Sequence, residues 1–313
     1  MNRRQLILSS TAFGFAPLVA ATEKTTIAEA AVPGPSAPGS PLPIPATGSI
    51  PVAFLISDGA VVIDFCGPWE VFESVSVVGR RDAAFSVYTV AETTNAITAS
   101  GGMKIVPNFS FKTAPPPKVV VIPAQNGAGD AARVWIRQVT RKTDVTMSVC
   151  TGARVLAQTG LLNGKSATTH HNSYTDFAMQ FPEVRLIRGA RFVEAGNLAT
   201  SGGLSSGIDL SLRVVERYFG YDVAVQTAYY LEYQGRGWMD PNSNQIYRSR
   251  QGSTAAHPLC PVCQMEVDPA TAPTSTYRGT TYYFCMPAHK ALFDKTPEQF
   301  LDSNESLESS TGL

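Results

Sequence analysis

Short, uninterrupted apolar runs mark the chain from Pro51 onward. Val52-Ala53-Phe54-Leu55-Ile56 is the first, and Val119-Val120-Val121-Ile122 and Val145-Thr146-Met147-Ser148-Val149 repeat the pattern. A strand with one wet face alternates polar and apolar residues; a continuous run predicts a strand covered on both faces. Residues 85–90 do alternate and add a further strand. Helix-like patterns occupy residues 69–78, 131–140, 208–219 and 224–233. Strands alternating with helices predict an α/β fold with a doubly wound, mainly parallel sheet.

The ends of the chain lack this pattern. Arg3-Arg4 precede an apolar stretch over residues 6–20 that closes on Val19-Ala20-Ala21. A charged start, a short apolar run and small residues at a cleavage point read as a signal peptide over 1–22. The paired arginines ahead of Gln5-Leu6-Ile7-Leu8 resemble a twin-arginine signal, and an ordinary secretory signal would give the same destination. The expected location is periplasmic or otherwise exported. The run is too short for a confident membrane span, so no stable span is expected once the signal is removed. Residues 23–49, rich in Pro, Ala, Ser and Thr, read as a linker that cannot offset the entropy of its own ordering. The α/β domain is expected over 50–239, a second aperiodic linker over 240–258, a compact module over 259–301 and a frayed polar tail over 302–313.

Composition narrows the function classes. Of 313 residues 44% are hydrophobic and 16% charged, which fits a globular chain with a real core. Lys+Arg and Asp+Glu both number 25, so no global field recruits nucleic acid or an anionic membrane. A small-molecule substrate is the expected partner.

Cys150 directly follows an apolar strand, and Thr151-Gly152-Ala153-Arg154-Val155-Leu156-Ala157 begins a helix-like run. A strand–nucleophile–helix turn presents its side chain at the carboxyl edge of a parallel sheet. The helix start beside it favours the reactive thiolate, and Gly152 lets the backbone pass closely. The local pattern is equally compatible with a small buried core cysteine.

Ser148-Val149-Cys150-Thr151-Gly152, followed by the 160–170 stretch ending Ala167-Thr168-Thr169-His170, resembles the ThiJ/PfpI family of the class I glutamine-amidotransferase-like superfamily. Ile63-Asp64-Phe65-Cys66-Gly67-Pro68, Gly196–203 and Gly207-Ile208-Asp209-Leu210 extend the likeness over residues 50–237. Among its members, isonitrile hydratases and the amidotransferase-like domains of certain transcription regulators are nearest. The resemblance implies a flavodoxin-like fold, a homodimer, Cys150 as nucleophile and Asp64, on the loop after the first strand, as acid/base. It implies that Thr151 positions groups beside the thiol and that backbone N–H groups of Ala124, Gln125 and Gly152 meet substrate or developing charge. From the residues alone, Asp64 also fits a helix N-cap. Ala124-Gln125 stand where the family often has Gly-Gly, and Thr151 stands where peptidase members have His, which argues against a Cys-His protease. His170 and His171 read as turn or interface histidines. Cys66 reads as a small loop residue, with a redox pairing to Cys150 as the lesser alternative.

The final module carries Cys260-Pro261-Val262-Cys263 and, about twenty residues on, Cys285-Met286-Pro287-Ala288-His289. Two close-spaced pairs of sulfur and imidazole donors complete a tetrahedral shell suited to zinc or copper(I). A disulfide would strand one cysteine, whereas a metal uses Cys260, Cys263, Cys285 and His289 together and staples a segment with little core. Pro261-Val262-Cys263-Gln264-Met265 and Tyr277–Cys285, with Lys290 and Phe293, resemble a YHS domain. This copy has Cys260 where Asp is common and His289 where a Cys is common. Tyr282, Tyr283, Phe284 and Phe293 are expected to form its small core. Two functional readings follow: an exported isonitrile-hydratase-type enzyme with a metal-binding appendage, or a metal-handling or redox-sensing protein whose α/β domain is non-catalytic.

Overall fold

The computed structural model describes residues 39–301, apart from Gly127, 249–252 and 255–256. The signal expected over 1–22 and the tail over 302–313 lie outside the described residues. In chain order the elements are β1 (Ile50–Leu55), α1 (Val62–Glu73), β2 (Phe85–Ala91), β3 (Ile97–Thr98), β4 (Lys104–Ile105), β5 (Phe109–Ser110) and β6 (Val119–Ile122). Then come α2 (Asp130–Thr140), β7 (Val145–Ser148), α3 (Gly152–Ala157), β8 (Ser166–Ala167), α4 (Tyr174–Gln180) and β9 (Arg185–Leu186). The domain closes with β10 (Phe192–Ala195), β11 (Leu198–Ser201), α5 (Ser206–Phe219) and α6 (Tyr221–Tyr230).

Seven strands form one sheet in the order β10-β11-β7-β6-β1-β2-β5. Every neighbouring pair is parallel except β10–β11. The continuous apolar runs now have their explanation. Val52, Phe54, Val119, Val121, Val145 and Met147 pack on one face, with α1 and α5; Ala53, Leu55, Val120 and Ile122 pack on the other, with α2 and α3. Each fully buried large side chain contributes roughly 1.5–3 kcal/mol of transfer free energy. The expected doubly wound α/β fold is the fold observed.

Three expectations need correction. Helix α1 begins at Val62, seven residues before the 69–78 pattern, because Pro68 lies inside the helix and imitates a helix start. Asp64 therefore stands in the first turn of α1, on neither a loop nor an N-cap; Val61 holds the cap position. The 23–49 stretch does not remain a free linker to its end: Leu42 N–H donates to Arg217 C=O at 2.8 Å, and Arg80 reaches the carbonyls of Pro45 and Gly48. Residues 240–247 likewise lie against the α/β body, through Arg191 N–H to Pro241 C=O and Gln245 Nε2 to Gly189 C=O at 3.2 Å. Both stretches lack apolar periodicity, so their attachment by hydrogen bonds left no mark in the hydropathy pattern.

In the C-terminal module β12 (Thr274–Tyr277) and β13 (Thr280–Tyr283) pair antiparallel across a turn in which Arg278 and Gly279 have φ of 49° and 82°. Two successive positive φ values are what a two-residue hairpin turn with the sheet's own twist requires. Helix α7 (Pro287–Lys295) opens on proline and presents Phe293 to Phe284, Phe300, Val262 and Val267; Tyr282 and Tyr283 pack at the edge of this core. Among the described residues, no helix is long and apolar enough to cross a membrane.

Candidate functional site

Cys150 follows β7 with φ of 57°, a left-handed conformation that a residue with a side chain adopts only when its surroundings impose it. They do so here from two directions. Its N–H donates to Gly202 C=O at 2.9 Å, and its C=O accepts the Thr169 hydroxyl at 3.0 Å. Gly152 completes the elbow, since a Cβ there would lie 2.2 Å from Ile122 O. Gly152→Ala is expected to force the elbow off β6 and destabilise the protein by about 1–3 kcal/mol, read as a lower Tm.

The thiol sits beside the carboxyl of Asp64, which is wholly buried. Asp64 Oδ2 accepts the Ala124 N–H at 3.1 Å, whereas Oδ1 is buried without a hydrogen bond. Burial raises the Asp64 pKa to about 6, against the lowering effects of the Ala124 N–H and the thiol. Burial and then the Asp64 charge push the Cys150 thiol up to about 12, although the N–H groups of Thr151 and Leu204 and the Thr151 hydroxyl pull the other way. The resting pair at neutral pH is thus carboxylate and thiol. This overturns the expectation of an ionised cysteine: α3 has only six residues, and its start is outweighed by dehydration and a facing carboxylate.

The donors differ from those expected. The Ala124 N–H is taken by Asp64 and the Gly152 N–H by Val149 C=O, so neither is available to substrate. The Gln125 side chain turns toward β1, accepting from Ser57 Oγ at 2.6 Å and donating to Leu55 C=O at 3.2 Å. It lines a separate cavity of about 150 Å³ with Ser57, Asp58, Glu92 and Phe111. The backbone N–H groups of Thr151 and Leu204 act on the sulfur, each drawing its pKa down. Leu204 was not anticipated, although the Gly202-Gly203 pair after β11 marks the turn that carries it. Cys66 is a free, half-buried thiol on α1, not bonded to Cys150. His170 is half-buried and its Nδ1 accepts the Asn172 N–H at 3.2 Å; burial, then the adjacent His171, lowers its pKa to about 4 and keeps it neutral.

In the module, the ligand atoms of Cys260, Cys263, Cys285 and His289 all lie within 4.8 Å of one another. Cys263 and Cys285 Sγ are 3.5 Å apart, and His289 Nδ1 is 3.1 Å from Cys285 Sγ and 3.7 Å from Cys260 Sγ. Tetrahedral zinc with Zn–S of ~2.3 Å sets sulfur atoms about 3.8 Å apart, so the cluster has the dimensions of a metal shell. The Cys263 thiol, and then backbone N–H groups of Cys285, Cys263 and Val262, hold Cys260 toward thiolate; Cys263, sharing that proton, is pushed the other way. Sulfur-rich donors with imidazole fit zinc or copper(I) and exclude a hard-cation site.

The sequence profile of the DJ-1/PfpI family matches residues 51–217, more than half of the chain. The chain belongs to this family. The YHS domain profile matches residues 260–304, the stretch that holds the four metal-ligand candidates. Among DJ-1/PfpI relatives, an isonitrile hydratase of Pseudomonas putida is 30% identical over 190 residues, covering 59% of this chain and 79% of that protein. The transcriptional regulator GbdR of Pseudomonas aeruginosa is 24% identical over 179 residues, or 55% of this chain and 48% of the regulator. A ThiJ/PfpI protein from Pseudomonas syringae superposes with a TM-score of 0.54 at 26% identity, covering 61% of this chain and 78% of that one. DJ-1/PfpI membership therefore establishes the fold, and since its members here include both an enzyme and regulators, activity has to be argued from the cysteine–carboxyl pair.

Proposed function

We propose that the DJ-1/PfpI domain hydrates a small isonitrile to an N-substituted formamide, with Cys150 as nucleophile and Asp64 as acid/base. The observation that carries this reading is the pairing of a strained, nearly buried cysteine with a buried carboxyl whose second oxygen has no partner besides the thiol. A purely structural carboxyl would have both oxygens satisfied.

The chemistry uses each group once in each direction. As the substrate approaches, Asp64 takes the thiol proton and the sulfur attacks the terminal carbon of R–N≡C. Asp64 then gives that proton to the same carbon, leaving a thioimidate, R–N=CH–S–Cys150. Water adds to the C=N carbon, with one proton passing to nitrogen. The C–S bond breaks, the sulfur leaves as a thiolate held by the Thr151 and Leu204 N–H groups, and the remaining hydroxyl proton restores the thiol. The sum is R–NC plus water giving R–NH–CHO. Asp64, with a pKa near 6, is suited to both accepting and returning a proton close to neutrality. Incubating the full chain with cyclohexyl isonitrile and following the formamide by mass spectrometry tests the reading. No formamide from it or from other simple isonitriles would overturn it.

The rival reading is a metal-handling protein with a non-catalytic DJ-1/PfpI domain, and the intact Cys/His cluster supports it. It requires Cys150 to react no faster than an ordinary thiol and isonitriles to remain unchanged. Under either reading we place the protein outside the cytoplasm, on the signal-like pattern at Arg3-Arg4 and residues 6–20.

A further inference from the structure

The turn behind the nucleophile, whose Gly202 C=O accepts the Cys150 N–H, has only the Leu204 side chain of its own with which to hold its shape. Gly202 and Gly203 precede Leu204, and Leu204 itself has φ of 49°. Two glycines in a row give the backbone wide freedom, and a leucine in left-handed conformation persists only where its surroundings over-determine it. Part of what surrounds this turn comes from residues 240–247, beyond the stretch matched by the family profile.

Two contacts make the connection, one at each glycine. Asn244 is 6% exposed and packs on Gly202, where a Cβ would lie 2.8 Å from its Nδ2. The same amide donates to Ser206 Oγ at 3.4 Å and accepts from Arg191 Nη1 at 3.1 Å. Arg191 joins the layers by its backbone, with its C=O accepting the Gly202 N–H at 2.9 Å and its N–H donating to Pro241 C=O at 2.6 Å. At Gly203 the contact is the His170 ring, whose Cδ2 lies 2.3 Å from where a Cβ would stand. His170 stacks on His171 at 4.4 Å, and His171 stacks on Tyr247 at 4.8 Å, with interplanar angles of 25° and 22°. On the inner side the turn meets the nucleophile: Gly202 C=O accepts the Cys150 N–H, and the Leu204 N–H bears on the sulfur.

We propose that residues 240–247 form a positioning strap for the cysteine, in which Asn244 and the Tyr247–His171–His170 stack hold the 202–204 turn so that Gly202 C=O stays on the Cys150 N–H and the left-handed elbow keeps its sulfur in place. The consequence is that Asn244 and Tyr247, outside the stretch matched by the family profile, help set the reactivity of the thiol. The proposal rests on Cys150 as the reacting group but not on the identity of the substrate. A strap that only stabilised the fold would change Tm and leave the thiol's pH profile where it was.

The test is the rate of Cys150 alkylation by iodoacetamide between pH 6 and 10, with Tm, in the full chain and in Tyr247→Ala, Tyr247→Phe and Asn244→Ala. Tyr247→Leu, which keeps volume without an aromatic face, replaces Tyr247→Ala if that variant does not fold. The expected result is that Tyr247→Ala and Asn244→Ala move the alkylation profile to higher pH and slow the reaction about tenfold or more near neutrality, a size consistent with small misplacement of a catalytic group. Tyr247→Phe, which preserves the stack, keeps the wild-type profile. Where isonitrile turnover is measured as well, kcat falls by a similar factor and KM stays within about twofold. Wild-type profiles in both Tyr247→Ala and Asn244→Ala would overturn the strap, as would Tyr247→Phe behaving like Tyr247→Ala. Because alkylation needs no isonitrile, a wild-type protein that hydrates no isonitrile would refute the hydratase reading while a shifted profile still upheld the strap.

Discussion

On the hydratase reading, Cys150→Ala is expected to reduce isonitrile hydration to the background rate, and Asp64→Asn to do nearly the same while making the folded protein more stable above pH 6. Loss of a covalent nucleophile removes the whole route through the thioimidate, and measured losses for such groups reach ~10⁴-fold or more. Asp64→Asn leaves the sulfur with no base to take its proton; the thiol loses the upward push of the carboxylate charge, while burial still holds it up. The stability change has the opposite sign because of linkage. Asp64 has a folded pKa raised to about 6, above its ordinary value of 3.8, so its protonated form is the one that suits the fold. The stability it contributes is fully present below about 3.8 and is lost as pH rises through about 6. At pH 7 the ionised carboxyl is held at a cost on the order of 3 kcal/mol, from a shift of roughly two units at 1.36 kcal/mol each. An amide avoids most of that cost. Thermal unfolding of Asp64→Asn against wild type at pH 5 and pH 8 reads it out: the variant's advantage should appear at pH 8 and shrink at pH 5. The same titration predicts an acid limb in the wild-type rate, which rises through pH 6 as the carboxylate forms. Turnover in Asp64→Asn at the wild-type rate would remove the acid/base role.

The second large effect lies in the C-terminal module. Stripping metal with a strong chelator, or making Cys263→Ser, should abolish the folded state of the module while leaving Cys150 alkylation unchanged. The module's core is six buried residues, one of them the candidate ligand Cys260, and so small a core supplies little net stability without a staple. Structural zinc contributes apparent binding free energies of about 10–16 kcal/mol to folding in comparable small units, so its removal outweighs everything the phenylalanines contribute. Titration of chelated protein with zinc, followed by the near-ultraviolet signal of Tyr282, Tyr283 and Phe284, measures the return of structure. Metal content close to one ion per chain should accompany it. Retention of full module structure in metal-free Cys263→Ser would show that the cluster does not hold the fold together.

The contrast between these two sites shows how far each was legible in the sequence. The four metal-ligand candidates occur as two local pairs, C-x2-C and C-x3-H, and a short spacing fixes which side chains share a turn; only the meeting of the pairs needed the fold. The cysteine elbow was equally local, since an apolar strand followed by Cys-Thr-Gly and a helix has few other shapes. Asp64 entered through resemblance, and its pairing with Cys150 is built by strands β1 and β7 with β6 between them in the sheet. The donor set was misjudged at Ala124 and Gly152 because a backbone N–H carries no residue-type signature. Its partner is chosen by whatever the fold brings near, here Asp64 and Val149.

By itself the sequence determined the α/β sheet, the elbow at Cys150 and the Cys/His cluster, because hydrophobic period and short spacing act over a few residues and survive any arrangement of the rest. The tertiary structure alone decided that the resting cysteine is a thiol, that Leu204 supplies a donor to it, and that residues 240–247 press on the turn behind it. Protonation and donor geometry are set by dehydration and by groups distant along the chain, and these exist only once the sheet has closed around them.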